Sequence, residues 1–326
     1  MAFTGSGAAL QIAKESGWGT LAAGAKIVDF TSESIKMDPD KKVQDSLIAS
    51  KAAPAKDLMG LFVGGDFSFI LRPEYAGYLF HLAFGGTDVV QSGVPVASSY
   101  THTIPLAEPS GTGTIPAFSA IVGRRGAIKG YSGCKVSTLA LDASVGDYVK
   151  GTISLMGKDE ATTTLASLTA LALKAFRVVS ATATIGGTTY DVKKVNFKLD
   201  NKLEDAGQTF ASGLYHKEPL HGQRETTLDI EMNYDATVET LHDTNAITGT
   251  VINAVVLKLE SPSFVVGTTP YSVQITLNNV AVSSVERNVS GSGLIVAKFS
   301  GMATSVSTTE PVVAVIVDGT AAAYSA

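Results

Sequence analysis

The sequence predicts an all-β protein made of two copies of one strand-rich unit, with one short helix in each copy. Three observations lead to this prediction. Apolar and polar residues alternate with period two in many segments, Gly, Thr, Ser, Ala and Val are in surplus over Leu, Glu and Lys, and similar phrases recur in both halves. β-branched residues suit a pleated sheet and glycine allows tight turns, so many short strands are expected.

The composition indicates a well-packed protein without a strong affinity for nucleic acid. The 326 residues are 45% apolar and only 17% charged, below the roughly 25% charged residues of an average protein, which argues against disorder. Lys and Arg number 25 and Asp and Glu 30, a net charge of −5. With no basic excess to neutralise phosphates, a dedicated DNA-binding protein is disfavoured.

The single cysteine and the lack of long apolar runs limit the cellular setting. Cys134 stands alone, which excludes an intramolecular disulfide and a zinc site of paired thiolates. The first 18 residues have no basic segment followed by an apolar core, and runs such as Val312 to Val317 are far shorter than the ~20 residues that span a bilayer. We expect no membrane insertion and synthesis in a cytoplasm.

Strands and hairpins follow from the alternation. Phe67, Phe69 and Leu71 alternate with polar neighbours, and two alternating runs within residues 136–155 flank a turn at Gly146. A Gly-Gly pair at residues 186–187 between β-rich runs predicts a two-residue hairpin. Later strands are predicted at Val255 to Leu259, Val273 to Leu277, Val280 to Val285 and Leu294 to Phe299.

Two segments have helical spacing, and each follows a strand. Pro73 fits the first turn of a helix that ends before Gly85 and Gly86. A second helix is predicted after Met232, with Asn233 or Asp235 as its cap.

The short sequence segments that recur in both halves predict a tandem duplication. Lys36 to Asp38 match Lys198 to Asp200 at an offset of 162, and the strand at Phe67 matches the strand at Leu228 at an offset of 161. The halves close on Gly157 and Gly301, where the offset drops to 144 because the first half carries an extra loop, about residues 85–115. The predicted divisions are an N-terminal arm (1–20), a first β domain (21–158), a linker (159–173), a second β domain (174–308) and a C-terminal tail (309–326), which is expected to add one strand.

No pattern of catalytic or metal-binding residues is convincing. The basic segment 123–130 lacks the ending of a phosphate-binding loop, and no serine or histidine has the context of a nucleophile and its base. His216, Glu218 and His221 could present two imidazoles and a carboxylate, but a zinc site needs further ligands on a rigid element. We therefore expect no catalytic residue, no cofactor and no metal ion.

Several short phrases, in order and spacing, are similar to those of one protein family. They are Lys14 to Thr20, Phe30 to Ile35, Tyr131 to Leu141 and Lys198 to Asn201. Over about residues 10–305 the chain resembles the major tail tube proteins of long-tailed (siphovirus-like) bacteriophages. It departs from that pattern in the loop at residues 85–115 and in the tail after residue 308.

The resemblance implies a β-sandwich or small barrel with a flanking helix, whose copies form rings that stack into the tail tube, a conduit for genome delivery. Six units per ring are usual in that family, so two units per chain imply a homotrimer with pseudo-six-fold symmetry; a homohexamer is the alternative. The expected partners are further copies, the tape measure protein, tail terminator or tail tip proteins, and double-stranded DNA that passes without specific binding. The expected location is the virion tail, after assembly in the host bacterial cytoplasm.

Unpaired sheet edges and two equivalent loops provide the means of assembly. Edge-to-edge pairing of neighbouring copies would satisfy the exposed N–H and C=O groups. The two loops, about Pro39 to Gly60 and Asn201 to Glu225, are predicted to bridge successive rings together with the N-terminal arm. The predicted ring-stacking residues are Trp18, Asp40, Lys41, Lys42, Gln44, Lys51, Lys202, Glu204, Asp205 and Lys217. The alternative function is a β-sandwich module that binds carbohydrate or a receptor, although the aromatic content of 7% offers few stacking platforms.

Overall fold

The computed structural model describes residues 7–43, 56–107, 115–167, 169–178, 181–289, 292–305 and 310–325. Strands take up 56% of these described residues and helices 9%, and the prediction of an all-β fold is confirmed.

The described residues of the first half form eleven strands and one helix. In chain order they are β1 (Ala9–Lys14), β2 (Lys26–Val28), β3 (Phe30–Glu33), β4 (Lys36–Val43), β5 (Lys56–Ile70), α1 (Pro73–Phe84), β6 (Val89–Ser92), β7 (Tyr100–Pro105), β8 (Phe118–Gly123), β9 (Ile128–Ser144), β10 (Lys150–Gly157) and β11 (Asp159–Thr162).

The second half continues the numbering. Its elements are β12 (Thr182–Ile185), β13 (Thr188–Thr189), β14 (Val192–Asp200), β15 (Leu203–Glu204), β16 (Leu220–His221), β17 (Glu225–Asn233), α2 (Ala236–Leu241), a π-helical turn (His242–Ile247), β18 (Ile252–Val266), β19 (Thr269–Glu286), β20 (Val296–Ala303) and β21 (Val312–Asp318).

One long strand in each half joins two layers of sheet. The first part of β9 pairs with β8 and β11, and its second part pairs with β10 and β14. In the second half, the first part of β19 pairs with β18 and β21, and its last residues pair with β20. Apolar side chains of both layers alternate inward, and the buried ones form one contiguous cluster that extends through both halves.

The helices begin where the sequence predicts. Pro73 opens α1, and Gly85, with φ of 73°, ends it in a left-handed conformation that favours glycine. Every residue of α1 except Glu74 is buried. Asp235 caps α2 by accepting hydrogen bonds from the backbone N–H groups of Thr237 and Val238.

The halves share strand order and the positions of two β-bulges. Thr31 in β3 and Lys193 in β14 are bulge residues opposite β5 and β17. Ser137 in β9 and Ser283 in β19 are bulge residues opposite β10 and β20. These positions are 162 and 146 residues apart, respectively. A bulge adds one residue to one strand and changes its twist, so the matched bulges mark equivalent positions.

The matched register corrects two offsets read from the sequence. With β3 and β14 aligned at 162, the pairing places Phe67 opposite Glu33 and Ile230 opposite Val195, which makes the offset of β5 and β17 163 rather than 161. For β10 and β20 it is 146 rather than 144. Each predicted offset is two residues short, because a shift of two keeps every apolar residue on the same face of a strand.

The predicted first-half loop and the C-terminal tail pair with each other. The predicted loop at about residues 85–115 contains two paired strands, β6 and β7. The tail adds the expected strand, β21, which lies between β19 and β7. The strands predicted at residues 273–277 and 280–285 are one continuous strand, β19.

The five predicted divisions of the chain stay a prediction. Within the predicted arm, β1 pairs with β2 and β8, and Leu10 and Ile12 are fully buried. Within the predicted linker, β11 pairs with β9.

Candidate functional site

Eight strand positions form a continuous sheet across both halves of the chain. Their order is β3 and β4 together, then β5, β10, β9, β14, β17, β20 and β19. The four positions of the first half precede the four of the second, and β9 and β14 meet in the middle. The sheet therefore has one junction inside the chain and two ends.

The internal junction pairs β9 with β14 in an antiparallel ladder. Leu139 lies opposite Leu199, and Leu141 lies opposite Phe197; all four side chains are buried. On the other face, the Lys194 ammonium lies 2.9 Å from the Asp142 carboxylate. The junction thus combines a hydrophobic core on one face with polar contacts on the other.

The first end of the sheet is the outer edge of β3 and β4. In the described part of the chain, these strands pair only with β5. Met37 packs against the core, whereas Lys36 projects outward and its ammonium lies 2.8 Å from the Asp38 carboxylate. The edge leaves a row of backbone N–H and C=O groups without a strand partner there.

The second end is the last part of β19. Its pairing with β18 stops at Val280 and its pairing with β21 at Leu277, so among the described strands only β20 pairs with the residues that follow. Val285 is 8% exposed and points toward the core, and Glu286 is exposed on the opposite face. In the strand order of the second half, the end of β19 occupies the same place as the end of β9 in the first half.

The face of the sheet opposite the core is polar and carries both signs of charge. A groove on it is lined by side chains that include Ser68, Thr152, Asn196 and Asp229. The charged residues of this face include Lys36, Asp38, Asp66, Asp142, Lys150, Lys194, Lys198, Asp200, Glu225, Asp229, Glu231, Glu286 and Lys298. Several of them neutralise one another, as Lys194 does with Asp142.

The two loops predicted to bridge rings lie against each other at one end of the sheet. In the first half, β4 and β5 continue as a hairpin on which Leu58 and Met59 are about two-fifths exposed. In the second half, residues 201–224 pack against it: the Gln208 side-chain amide donates to the Met59 carbonyl over 2.7 Å. The Leu61 N–H also donates to the Leu214 carbonyl, over 2.8 Å.

The predicted ring-stacking residues fall in these two segments, with Trp18 elsewhere. Asp40, Lys41 and Lys42 are exposed near the end of β4. Gln44 and Lys51 lie outside the described residues.

Two second-half members of the predicted set, Lys202 and Asp205, make local ion pairs. The Lys202 ammonium lies 3.1 Å from Asp200 and 3.0 Å from Glu225. The Asp205 carboxylate lies 2.6 Å from a ring nitrogen of His216. Glu204 lies in β15 and is exposed, as is Lys217.

Trp18 contacts its own chain. Its indole N–H donates to the Gly133 carbonyl over 3.1 Å, and the Lys158 ammonium lies 4.8 Å from the centre of the indole ring. A cation over an indole face is a favourable contact, and it fixes the segment before β2 against β9.

The residues considered as metal ligands or as a reactive thiol do not form a common site in the described part of the chain. Glu218 pairs with Lys135 over 2.7 Å, and His216 pairs with Asp205, so these two side chains are directed to different partners. Among the described residues, no three potential metal ligands lie close together. Burial raises the pKa of the Cys134 thiol, which disfavours the reactive thiolate.

A buried polar cluster fastens the C-terminal tail and was not predicted from the sequence. The His102 ring lies 2.7 Å from Asp88 and 3.2 Å from Asp318. Burial opposes protonation of the ring, but hydrogen bonds to Asp318 and Asp88 raise the pKa of His102 to about 10. The Tyr324 hydroxyl also donates to Asp318. The sequence signal for this cluster is the period-two spacing of His102 and Ile104 in β7, which places both side chains on the buried face of the strand.

The sequence also gave no indication of the edge residues Met37, Val285 and Glu286, because their importance depends on which strands lack a neighbour. That property is visible only in the complete order of strands.

The helices in the described segments were also compared with the length and hydropathy of a membrane span, and none of them meets both requirements.

Comparison with known proteins identifies the family. A search of curated proteins finds no match. A family model described as phage tail tube protein matches residues 5–303, nearly the whole chain, and the all-β fold agrees with it. The chain belongs to the phage tail tube protein family, whose members are structural components of the virion tail that assemble with one another into the tube.

Proposed function

We propose that copies of this chain join edge to edge into rings, and that the rings stack into the tail tube through which the phage genome is delivered. The observation that carries the proposal is the internal junction between β9 and β14, together with the two ends of the same sheet. The junction is an example of the contact that the ends would make with other copies. The protein acts as a conduit and catalyses no reaction.

The two halves are proposed to be copies of one unit, with cores in residues 21–158 and 174–308, an arm before them, a linker between them and a tail after them. The matched bulges at Ser137 and Ser283 and at Thr31 and Lys193 support this. Two units per chain and six units per ring give a homotrimer with pseudo-six-fold symmetry.

The width of a closed sheet favours three chains over two or six. Strands lie about 4.8 Å apart, so a barrel of about 24 strands from three chains has a diameter of at least about 37 Å, and side-chain layers of about 5 Å on each side leave a bore of about 27 Å. Duplex DNA, about 20 Å wide, fits this bore. The strand tilt of about 40° that a closed barrel requires widens the bore to about 38 Å for three chains, about 22 Å for two and about 86 Å for six. Two chains would therefore leave almost no clearance around the duplex, and six would leave far more than it needs.

The polar face of the sheet is proposed to line the bore. Opposite charges such as Lys194 and Asp142 are paired there, and the chain as a whole has a net charge of −5. A surface without excess positive charge does not retain counterion-coated DNA, so double-stranded DNA would pass without specific binding.

Stacking is proposed to use the hairpin of β4 and β5, residues 201–224 and the arm with Trp18. The exposed apolar side chains of Leu58 and Met59 and the charged residues predicted above would contact the next ring. The other partners are the tape measure protein and tail terminator or tail tip proteins, with assembly in the host bacterial cytoplasm.

Electron microscopy and light scattering of the purified protein test this function. We expect rings or tubes with a mass per ring of three times 33.7 kDa; a stable monomer at high concentration would contradict the proposal. Deletion of Gln44 to Pro54 should leave rings that do not stack. A variant with a Gly-Ser linker of equal length in that place is the control, and long tubes from the deletion would contradict the role of this loop.

A further inference from the structure

The matched bulges allow the register of the internal junction to be transferred to the two ends of the sheet. Residues of β9 correspond to residues of β19 at an offset of 146, and residues of β14 correspond to residues of β3 and β4 at an offset of 162. The three junction pairs formed by Lys198, Leu199 and Asp200 therefore have counterparts with one member on β19 and the other on β4.

The transferred pairs have complementary chemistry. The pair of Leu139 and Leu199 becomes Val285 and Met37. Both are apolar, and both already pack against the core of their own half, so their contact would continue that core between chains.

The next pair along the ladder brings opposite charges together. Ala140 and Lys198 become Glu286 and Lys36, both exposed on the polar face. Opposite charges directly across an antiparallel pair are stabilising, and like charges are destabilising.

The hydrogen bonding of the junction shows which pairs come closest. The Asn201 N–H donates to the Ser137 carbonyl over 2.8 Å, which makes this a hydrogen-bonded pair. In an antiparallel ladder such pairs alternate with closer, non-hydrogen-bonded pairs. Lys198 and Ala140 form a non-hydrogen-bonded pair, and the same holds for Lys36 and Glu286.

One residue limits the length of the proposed ladder. Pro39 occupies the position that corresponds to Asn201, and proline has no N–H to donate. The counterpart of the hydrogen bond from Asn201 cannot form, so the ladder ends at Asp38. Proline at a strand edge also discourages pairing in other registers.

We propose that the end of β19 in one copy pairs antiparallel with β4 of a second copy, with Val285 opposite Met37 and Glu286 opposite Lys36. The inference rests on the proposed function, because it specifies the contact that closes the ring. The contact is head to tail, so each copy uses two different edges and a closed ring leaves neither edge free.

Cysteine pairs test the register. Rings of the double variant Lys36→Cys, Glu286→Cys are purified in reductant and then oxidised. Because residues of a non-hydrogen-bonded pair have Cα atoms about 4.5 Å apart, within the range of a disulfide, we expect covalent species of two and three chains on a non-reducing gel. Cys134 is fully buried and is retained.

The matched control is Lys36→Cys with Ser284→Cys. Ser284 is two residues from Glu286 on the same strand, and its diagonal distance to residue 36 would be about 7–8 Å, too long for a disulfide. Strong cross-linking of the control, or no cross-linking of the test pair within intact rings, overturns the register. A disulfide within one chain overturns it as well.

Charge reversal gives a second readout. Glu286→Lys alone and Lys36→Glu alone should each raise the concentration needed for ring formation by roughly tenfold, and the double exchange should restore it. Failure of the exchange to restore assembly contradicts the pair. If the unmodified chain forms no rings, the proposed function fails together with the inference; if it forms rings without these couplings, the inference alone fails.

Discussion

The ends of β9 and β19 are equivalent in the two halves but have different neighbours. The end of β9 has a strand on each side, β10 and β14. The end of β19 has β20 on one side, and no described strand on the other. The first half is thus completed by the second, whereas the second half still lacks a neighbour. The proposed assembly would remove this difference, because another copy would supply the neighbour that the end of β19 does not have among the described strands.

Helices α1 and α2 also differ, because α1 is more deeply buried by the rest of the chain than α2. Helix α1 is almost entirely buried, and the ring of Tyr324 lies so close to Gly77 that a Cβ atom there would be 2.2 Å from it. In α2 only Val238 and Leu241 are buried. The tail and the inserted strands β6 and β7 cover the first half, and the chain provides less cover for the second.

We expect the largest effect on stability from a substitution of His102, whose ion pairs with Asp88 and Asp318 hold the C-terminal tail in place. His102→Ala leaves the buried carboxylates of Asp88 and Asp318 without their cationic partner, and removal of one partner of a buried charged pair costs about 3–5 kcal/mol. Urea unfolding should show this loss. His242→Ala, which removes a partly exposed pair with Asp243, is the control and should change stability by less than about 1 kcal/mol.

A second pair of substitutions compares β14, which is paired with β9 at the internal junction, with β4, whose outer edge has no strand partner among the described residues. Leu199→Ala removes a fully buried side chain and should destabilise the isolated chain by about 2–5 kcal/mol. Met37→Ala, at the equivalent position of β4, should cost the isolated chain only about 1 kcal/mol, because its side chain is partly exposed there. Chemical denaturation of unassembled chains measures both, and equal losses would contradict the comparison.

The tail cluster should also make stability depend on pH. The pKa of His102 is raised in the folded chain to about 10, so its contribution is fully present below the unfolded value of about 6.5 and is lost as the pH rises through 10. We expect stability to fall by roughly 2–4 kcal/mol over this range.

An NMR titration of the His102 ring measures the same property directly. The ring should remain protonated at pH 8, where an exposed histidine such as one in an unfolded chain is neutral. A midpoint near 6.5 would show that Asp88 and Asp318 do not hold the proton.

The smallest expected effect on folding is at the open edge. Lys36→Ala removes an exposed ion pair with Asp38 and should change the stability of the isolated chain by less than about 1 kcal/mol. Its effect should appear in assembly instead, as a higher concentration for ring formation measured by light scattering. Lys258→Ala, which removes an ion pair with Glu260 away from the two edges, should leave both properties unchanged.

The sequence predicted the local features well because they depend on neighbouring residues. Pro73 and Gly85 mark the ends of α1, Asp235 caps α2, and Gly186 and Gly187, with φ of 58° and 84°, form the predicted hairpin turn. The repeated order of strands was also visible. The two offsets were each short by two residues, because alternation defines a face but not the position along it.

Features that depend on distant pairing could not be predicted. His102 meets Asp318 across 216 residues, and β21 joins β7 to β19. Which edge of a sheet lacks a partner follows only from the whole strand order. The sequence therefore does not mark Val285 and Glu286 as edge residues, whereas charged loop residues such as Lys41 and Lys202 are recognisable from sequence alone.

Cryo-electron microscopy of the assembled rings tests the central claim most directly. We expect three chains per ring in one continuous closed sheet, with the end of β19 of each chain hydrogen-bonded to β4 of the next. A ring in which these two edges face solvent, or in which the chains meet through other surfaces, would contradict the account.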